Sequence, residues 1–210
     1  MRRWTVDPGR PDQARLAEAA EAIRGGGVIV FPTDTLYGLA ANPRDPDAID
    51  RVFAIKRRAE GEPLPLIVAS LDDAAAVGRI TPLARRLAAA CWPGPVTAIV
   101  EDAGTVAPGV HAGTRALAVR VPASAVAAGL ARLAGGAITS TSANRSGAPA
   151  PASAREAEEA LGDEPDGLLD GGPAPGGAPS TIVDARGNEP ILVRAGAVAF
   201  ERILAALERR

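Results

Sequence analysis

Lysine is almost absent from this chain of 210 residues: of its 23 basic residues, only Lys56 is a lysine and the others are arginines. Lysine carries a compact, strongly hydrated charge, whereas the guanidinium of arginine is a planar fork. A site that needs a single ammonium against an oxygen would keep its lysine, but one surface lysine can also survive by chance. Lys56 is therefore a candidate functional residue, and its neighbours have to decide between these interpretations.

Other residue types that build reactive sites are equally scarce. Cys91 is the only cysteine and His111 the only histidine, which excludes an intramolecular disulfide, a cysteine-based zinc site and a two-histidine metal site. A Ser-His-Asp triad would depend on His111 alone, in a stretch, APGVHAGT, that we predict to be a loop. The sequence also lacks a P-loop, a dinucleotide-binding GxGxxG motif and a GxSxG nucleophile elbow.

Aromatic residues make up 3% of the chain and the net charge is -2. The core must therefore be built from Ala, Val, Leu and Ile, and a large positive field for nucleic acid is not expected. There is no apolar run of about 18 residues or more, and the first residues, MRRWTVDPGRPDQ, lack an apolar segment. We therefore expect no membrane span, no signal peptide and a cytoplasmic location.

The spacing of apolar residues predicts helices and strands that mix along the chain. Helices are predicted near 12–24, 45–58, 72–78, 81–91, 123–134, 153–161 and 199–209. Strands are predicted at 28–31, 64–70, 96–101, 116–122, 137–140, 180–184 and 191–196, and loops at 32–43, 141–153 and the Gly/Pro-rich 171–179. This order predicts one α/β (α+β-like) domain with a mixed sheet and flanking helices.

Three polar stretches stand at the ends of predicted strands. They are PTDT with Thr33 and Thr35, ITSTSANRSG around Asn144, and APST with Ser180. Ligands of open α/β sheets bind beyond the strand ends, and hydroxyl and backbone N–H groups there suit an anionic or zwitterionic small molecule. Ser and Thr are also common in turns, so each stretch alone is weak evidence of a site.

Two arginines interrupt apolar strands: Arg120 in ALAVRVP and Arg194 in ILVRAG. Strand alternation can place either one on a solvated face. If both instead face a groove that contains Lys56 and Arg58, four cations converge, and such a cluster would bind phosphates or a carboxylate.

Seven stretches of the chain follow one another in order from about residue 20 to 197: PTDTLYGLA, KRRAEGEPLPLIV, CWPGPVTAIV, LAVRVP, TSANRSG, STIVD and VRAG. In these stretches the chain resembles the YrdC-like threonylcarbamoyl-AMP synthase family in its single-domain form. The family's Lys-x-Arg and Ser-x-Asn pairs correspond to Lys56/Arg58 and Ser142/Asn144. The resemblance implies a single YrdC-like domain over 1–210, with a twisted sheet, a concave cation-lined site and no additional C-terminal domain.

Members of this family join L-threonine, bicarbonate or CO2 and ATP, which carries Mg²⁺, into threonylcarbamoyl-AMP and pyrophosphate. Partner proteins then use the product to modify tRNA, and a direct RNA or tRNA contact stays open. One alternative is a paralogue of the same fold with another carbamoyl- or acyl-adenylate activity. The other is a double-stranded RNA or tRNA-binding module, against which the low aromatic content argues.

The resemblance also implies the site residues. The catalytic pair would be Lys56 and Arg58. Threonine would contact Thr35, Arg120, Ser140 and Ser180, and also the backbone near Ile67. ATP would contact Lys56, Arg58, Glu62, Ala116, Ser142, Asn144, Ala150 and Arg194. No dedicated protein metal site is implied, and Asp34 is a weak candidate ligand. The chain departs from the family pattern at Ala195 (often Pro), Ala150 (often Ser) and Glu62 (often polar or basic).

Overall fold

The computed structural model describes residues 1–58 and 61–209. Its helices are α1 (Gln13–Arg24), α2 (Pro46–Lys56), α3 (Leu71–Val77), α4 (Pro82–Cys91), α5 (Pro108–His111), α6 (Ala125–Leu133), α7 (Ala154–Leu161) and α8 (Phe200–Glu208). Its strands are β1 (Arg2–Thr5), β2 (Ile29–Pro32), β3 (Tyr37–Ala40), β4 (Leu66–Val68), β5 (Gly78–Arg79), β6 (Val96–Asp102), β7 (Ala116–Arg120), β8 (Ala137–Thr139), β9 (Thr141–Ser142), β10 (Gly167–Asp170), β11 (Thr181–Asp184) and β12 (Ile191–Arg194). None of these helices is both long and apolar enough to cross a membrane.

Short polar side chains start most of the helices. The oxygen of such a residue accepts a hydrogen bond from a backbone N–H that the first turn leaves without a partner. The capping residues are Asp12, Asp45, Ser70, Thr81, Ser124 and Ser153. Asp45 begins α2, the helix that ends at Lys56, and Pro46 follows it at a position where its missing N–H costs nothing.

The strands divide between two mixed sheets, where the sequence indicated one. The five-stranded sheet has the order β1-β10-β2-β3-β9, and the seven-stranded sheet has the order β12-β11-β6-β7-β4-β8, with β5 beside β6. The chain passes from one sheet to the other at Ser140, between β8 and β9. Thr139 joins the sheets there, since its backbone N–H donates to the Ala41 carbonyl (3.0 Å) and its Oγ1 donates to the Leu39 carbonyl (3.0 Å).

The α/β class predicted from the sequence is confirmed, and so are most of its helices and strands. Three predictions were wrong: the predicted loop 32–43 contains β3, the predicted loop 141–153 begins with β9, and His111 ends the short helix α5. β1 and β10 were not predicted. These elements are short, and pairing with distant strands stabilises them: β10 lies between β1 and β2, for example. Local periodicity carries no signal for such pairing.

Candidate active site

A cavity of about 580 Å³ lies where the two sheets meet. Strand alternation builds its floor, because successive side chains of β6 and β7 point to opposite faces. Thr97 and Ile99 of β6 and Ala118 and Arg120 of β7 line the cavity. The intervening side chains pack in the hydrophobic core on the other face of the sheet: Ala98, Val100, Leu117 and Val119. The β3–β9 side of the other sheet supplies the facing wall.

Four of the five residues predicted to contact threonine line this cavity: Thr35, Arg120, Ser140 and Ser180. Ile67 is fully buried in β4, directly opposite Arg120 of β7, and its side chain is not part of the lining. The sequence stretches that carry the four lining residues are separated by up to 145 positions, and the two sheets bring them together. The Ser180 hydroxyl also lies 2.8 Å from the Thr97 hydroxyl.

Arg120 is held in place by an ion pair. Its Nη1 donates to Asp34 Oδ1 at 2.7 Å, and the two side chains are only 8% and 12% exposed. The other carboxylate oxygen of Asp34 accepts from the backbone N–H of Ala123 at 3.3 Å. A hydrogen-bonded, nearly buried pair of this kind fixes the guanidinium in one orientation toward the cavity.

Arg194 adds a second guanidinium to the same cavity. Its Nη2 donates to the carbonyl (2.8 Å) and the hydroxyl (3.3 Å) of Ser180. Partial burial and the nearby charge of Arg120 lower the pKa of Arg194. Across residues 1–58 and 61–209, no carboxylate forms an ion pair with Arg194. The Arg120–Arg194 side of the cavity is therefore short of negative charge and suits an anionic group.

Arg58 is a third guanidinium in the cavity lining. Its guanidinium donates to the Thr141 hydroxyl (3.1 Å) and the Pro63 carbonyl (3.1 Å) and pairs with Glu62 at 2.9 Å. Arg58, Ser142, Ala150 and Arg194 line the cavity. Glu62, Ala116, Lys56 and Asn144, which were also predicted to contact ATP, are not part of the lining.

Lys56 lies behind the wall formed by β9 and the residues that follow it. Only 2% of its surface is exposed. Its Nζ donates to the carbonyls of Ser142 (2.6 Å) and Asn144 (2.7 Å) and to Asn144 Oδ1 (3.3 Å). Burial and the charge of Arg58 lower the pKa of Lys56 to about 8, and the charge of Glu62 acts in the opposite direction.

Comparisons with known proteins place the chain in a family. The family model Sua5_yciO_yrdC, described as Telomere recombination, matches residues 21–196. The chain belongs to the Sua5/YciO/YrdC family. The membership predicted from the sequence is therefore confirmed.

Several similar proteins are named threonylcarbamoyl-AMP synthase. A threonylcarbamoyl-AMP synthase of Pyrococcus abyssi is 35% identical over 195 residues, which are 92% of this chain and 57% of that protein. One of Alkalilimnicola ehrlichii is 37% identical over 84% of this chain and 94% of that protein. The chain thus spans less than two thirds of the Pyrococcus relative, and it spans 61% of one from Bacillus subtilis.

Solved structures of the same family share the fold. P. abyssi Sua5 complexed with L-threonine has a TM-score of 0.93 and 33% identity, over 98% of this chain and 61% of that one. E. coli YciO has a TM-score of 0.86 and 27% identity, over 97% of this chain and 100% of that one. Both similarities extend over nearly the whole of this chain.

The structure shows the surroundings of the positions at which the chain departs from the Sua5/YciO/YrdC pattern. Glu62 is 61% exposed at its side chain and pairs with Arg58, so its charge offsets that of an arginine in the cavity wall. Ala150 lines the cavity without a hydroxyl. After Ala195, a Cβ on Gly196 would lie 2.3 Å from the Pro179 carbonyl oxygen. The glycine therefore permits the close approach of this segment to Pro179.

Sequence reasoning missed several lining residues, including Tyr37, Gly38, Thr97 and Ile182. Thr97 had a usable signal, because it is a polar residue inside the predicted strand VTAIVE and shares a strand face with Ile99. Gly38 had none, since its role depends on the distant Phe31 and Ser140. A Cβ at Gly38 would lie 3.0 Å from Phe31 Cε1 and 3.4 Å from Ser140 Oγ, so glycine keeps the cavity open there.

Proposed function

We propose that this protein is an L-threonylcarbamoyladenylate synthase, which makes threonylcarbamoyl-AMP and pyrophosphate from L-threonine, bicarbonate or CO2, and ATP. The observation that carries this proposal is one cavity in which the Asp34-held guanidinium of Arg120 stands beside the hydroxyls of Thr35, Ser140 and Ser180. The names of the relatives and the L-threonine in the P. abyssi Sua5 structure support it. The cavity volume also falls within the range of about 300–1,000 Å³ usual for small-molecule sites.

In this proposal, the amino acid binds over β6, β7 and β11. Arg120 binds the carboxylate of threonine, or the carbamate formed on its amine. It does so through the guanidinium N–H donors that do not bond to Asp34. The Ser180–Thr97 hydroxyl pair lies beside this position and is suited to the polar side chain of threonine. An analogue without a hydroxyl would lose its own hydrogen bond to this pair, so we expect the site to discriminate against such analogues.

The nucleotide binds on the side formed by Arg58, Ser142, Ala150 and Arg194. The two guanidiniums would contact phosphate oxygens, and arginine matches phosphate geometry through two parallel donors. Mg²⁺ would enter as part of the ATP substrate and neutralise phosphate charge, still carrying several of its waters. Asp34 is engaged by Arg120 and is not assigned to the metal.

The proposed reaction uses position and charge, not a protein nucleophile. The neutral amine of threonine forms an N–C bond to CO2 as one C–O π bond opens onto oxygen, the nitrogen releases a proton to solvent, and the resulting carbamate is anionic. A carbamate oxygen then forms a bond to the α-phosphorus of ATP as the bond from that phosphorus to pyrophosphate breaks. Arg120 would hold the carbamate against the nucleotide, and Arg58 and Arg194 would stabilise the charge that develops on the phosphates. Partner proteins would then transfer the threonylcarbamoyl group to tRNA in the cytoplasm.

The test is pyrophosphate release by the purified protein with ATP, Mg²⁺ and bicarbonate, with L-threonine, without amino acid, and with L-valine. L-Valine keeps the branched shape and lacks the hydroxyl. We expect release only with threonine and a product with the mass of threonylcarbamoyl-AMP. ATP binding without threonine-dependent release would favour the paralogue, and RNA binding without nucleotide binding would favour the RNA module.

A further inference from the structure

The ammonium of Lys56 has no donor left for a ligand. An ammonium carries three N–H donors, and Lys56 Nζ has three oxygen acceptors: the carbonyls of Ser142 and Asn144 and the side-chain oxygen of Asn144. All three belong to the 142–148 loop, which begins at the last residue of β9. Lys56 is also buried behind the cavity wall. The loop therefore lies between the lysine and an ATP molecule bound in the cavity.

Hydrogen bonds also run in the opposite direction, from donors of the 142–148 loop to acceptors at the end of α2. The last carbonyls of a helix lack partners within the helix. Here the Ser146 N–H donates to the Lys56 carbonyl at 2.9 Å, and the Arg145 guanidinium donates to the Ile55 carbonyl. The helix end and the 142–148 loop therefore fix each other through side-chain and backbone contacts.

The same lysine orients the side chains within the loop. Asn144 Oδ1 accepts from Lys56 Nζ and, at 2.5 Å, from the Ser142 hydroxyl. The Asn144 Nδ2 donates to the Ala148 carbonyl. With its oxygen turned toward the ammonium, the amide of Asn144 has one orientation, and Ser142, which lines the cavity, is fixed with it.

We propose that Lys56 is a positioning residue: its buried ammonium holds the 142–148 loop in the shape that forms the nucleotide side of the cavity, and it does not contact ATP. This inference rests on the proposed function for the identity of the ligand, and it replaces the phosphate contact expected for Lys56 from the family resemblance. A charge buried against carbonyls costs desolvation energy and is suited to fixing one geometry.

The absence of any other lysine makes a direct test feasible. In protein labelled with ¹⁵N-lysine and carrying a lysine-free tag, Lys56 gives the only side-chain ammonium signal. We expect slowly exchanging ammonium protons in the ligand-free protein, and a signal that keeps its position when saturating Mg-ATP is added. A signal that moves strongly and gains coupling to ³¹P of ATP would overturn the proposal, as would ammonium protons that exchange as fast as those of a solvated lysine.

A variant pair tests the link to the loop. Lys56→Met removes the ammonium, and the control Arg57→Met removes a charge from the exposed neighbouring residue. In ligand-free Lys56→Met we expect the amides of Ser146 and Ala148 to exchange faster by at least about tenfold, with amides of β6 and β7 unchanged. The dissociation constant for ATP should rise by about tenfold while that for threonine stays constant. Arg57→Met should match the wild type in every measurement.

Unchanged loop exchange together with weaker ATP binding would indicate direct contact and overturn the proposal. Equal losses of ATP and threonine affinity would indicate a general structural role and also overturn it. If Lys56→Met does not fold, the ammonium signal of the wild-type protein still decides. The exchange measurements need no substrate, so failure of the proposed synthase activity can be told apart from failure of the Lys56 assignment.

Discussion

The Asp34–Arg120 ion pair gives a prediction that separates stability from binding. Arg120→Met keeps much of the side-chain volume but leaves the Asp34 carboxylate nearly buried, and among residues 1–58 and 61–209 its remaining hydrogen-bond partner is the Ala123 N–H at 3.3 Å. Removing one member of a buried pair costs about 3–5 kcal/mol. The remaining exposure of these side chains, 8% and 12%, puts the expected loss of unfolding free energy near the lower end, at about 3 kcal/mol.

A double-mutant cycle measures this coupling. The double variant Asp34→Asn/Arg120→Met has no uncompensated carboxylate, so we expect it to recover about 1–2 kcal/mol relative to Arg120→Met. The assay is equilibrium unfolding in urea of the wild type, both single variants and the double variant. A double variant that loses the sum of the two single losses would show that the pair is not coupled and would refute the argument.

Binding gives the second readout of the same cycle. Loss of the charge-assisted hydrogen bonds from Arg120 should weaken threonine binding. Such bonds contribute about 1.5–3 kcal/mol, which corresponds to on the order of 10- to 100-fold in the dissociation constant. ATP affinity should change by less than about threefold, because its side of the cavity keeps Arg58 and Arg194. Calorimetric titration with each ligand checks this, and equal losses for both ligands would contradict the assignment of Arg120 to the amino acid.

Three further predictions concern other residues of the site. Arg58→Met should lower kcat/KM of the synthase reaction by about 10²–10³-fold, with Arg57→Met unaffected in the same pyrophosphate assay; near-normal activity would remove Arg58 from the mechanism. Because the folded protein lowers the pKa of Lys56 from 10.5 to about 8, between these values the unfolded chain binds a proton that the folded protein does not. The unfolding free energy of the wild type, measured in urea, should therefore rise with pH across this window, by up to about 3 kcal/mol relative to Lys56→Met. A difference between the two proteins that does not change with pH would contradict the lowered pKa. Gly38→Ala should cost about 1–3 kcal/mol in the same assay, because Phe31 is fully buried and cannot retreat from the new methyl group. Gly187→Ala is its control, because a Cβ there has no neighbour within 4 Å. Equal stabilities of the two variants would show that the structure accommodates the methyl group at position 38 without cost.

Sequence reasoning predicted several helices and strands and several residues of the candidate site. The long periodic segments were predicted correctly because their burial pattern is local, as in α1, whose buried Leu16, Ala19, Ala20 and Ile23 recur at helical spacing. Arg120 and Arg194 were candidates because each interrupts an apolar strand, and both line the cavity. Residue types and strand period were sufficient for these features.

The remaining features depend on partners that are distant along the chain. The strands divide between two sheets, and the chain crosses between them after β3, at Ser140 and after β10 without a local sequence signal of a crossing. Lys56 was singled out by composition as a candidate functional residue. The direction of its side chain, into the 142–148 loop instead of the cavity, follows from pairing between residues 86 and 88 positions apart, and no motif spacing contains that information.

The passage of the chain between sheets at Ser140 has a consequence for how the protein responds to its ligands. The two walls of the cavity belong to separate hydrogen-bonded sheets, so a molecule that contacts Arg120 on one wall and Ser142 on the other becomes a cross-link between them. Ligand binding then adds directly to the free energy that opposes separation of the sheets, by RT ln(1 + [L]/Kd) for each site. Resistance to proteolysis should therefore report occupancy of the whole cavity, and two ligands that each touch one wall should protect the protein less than one that bridges both.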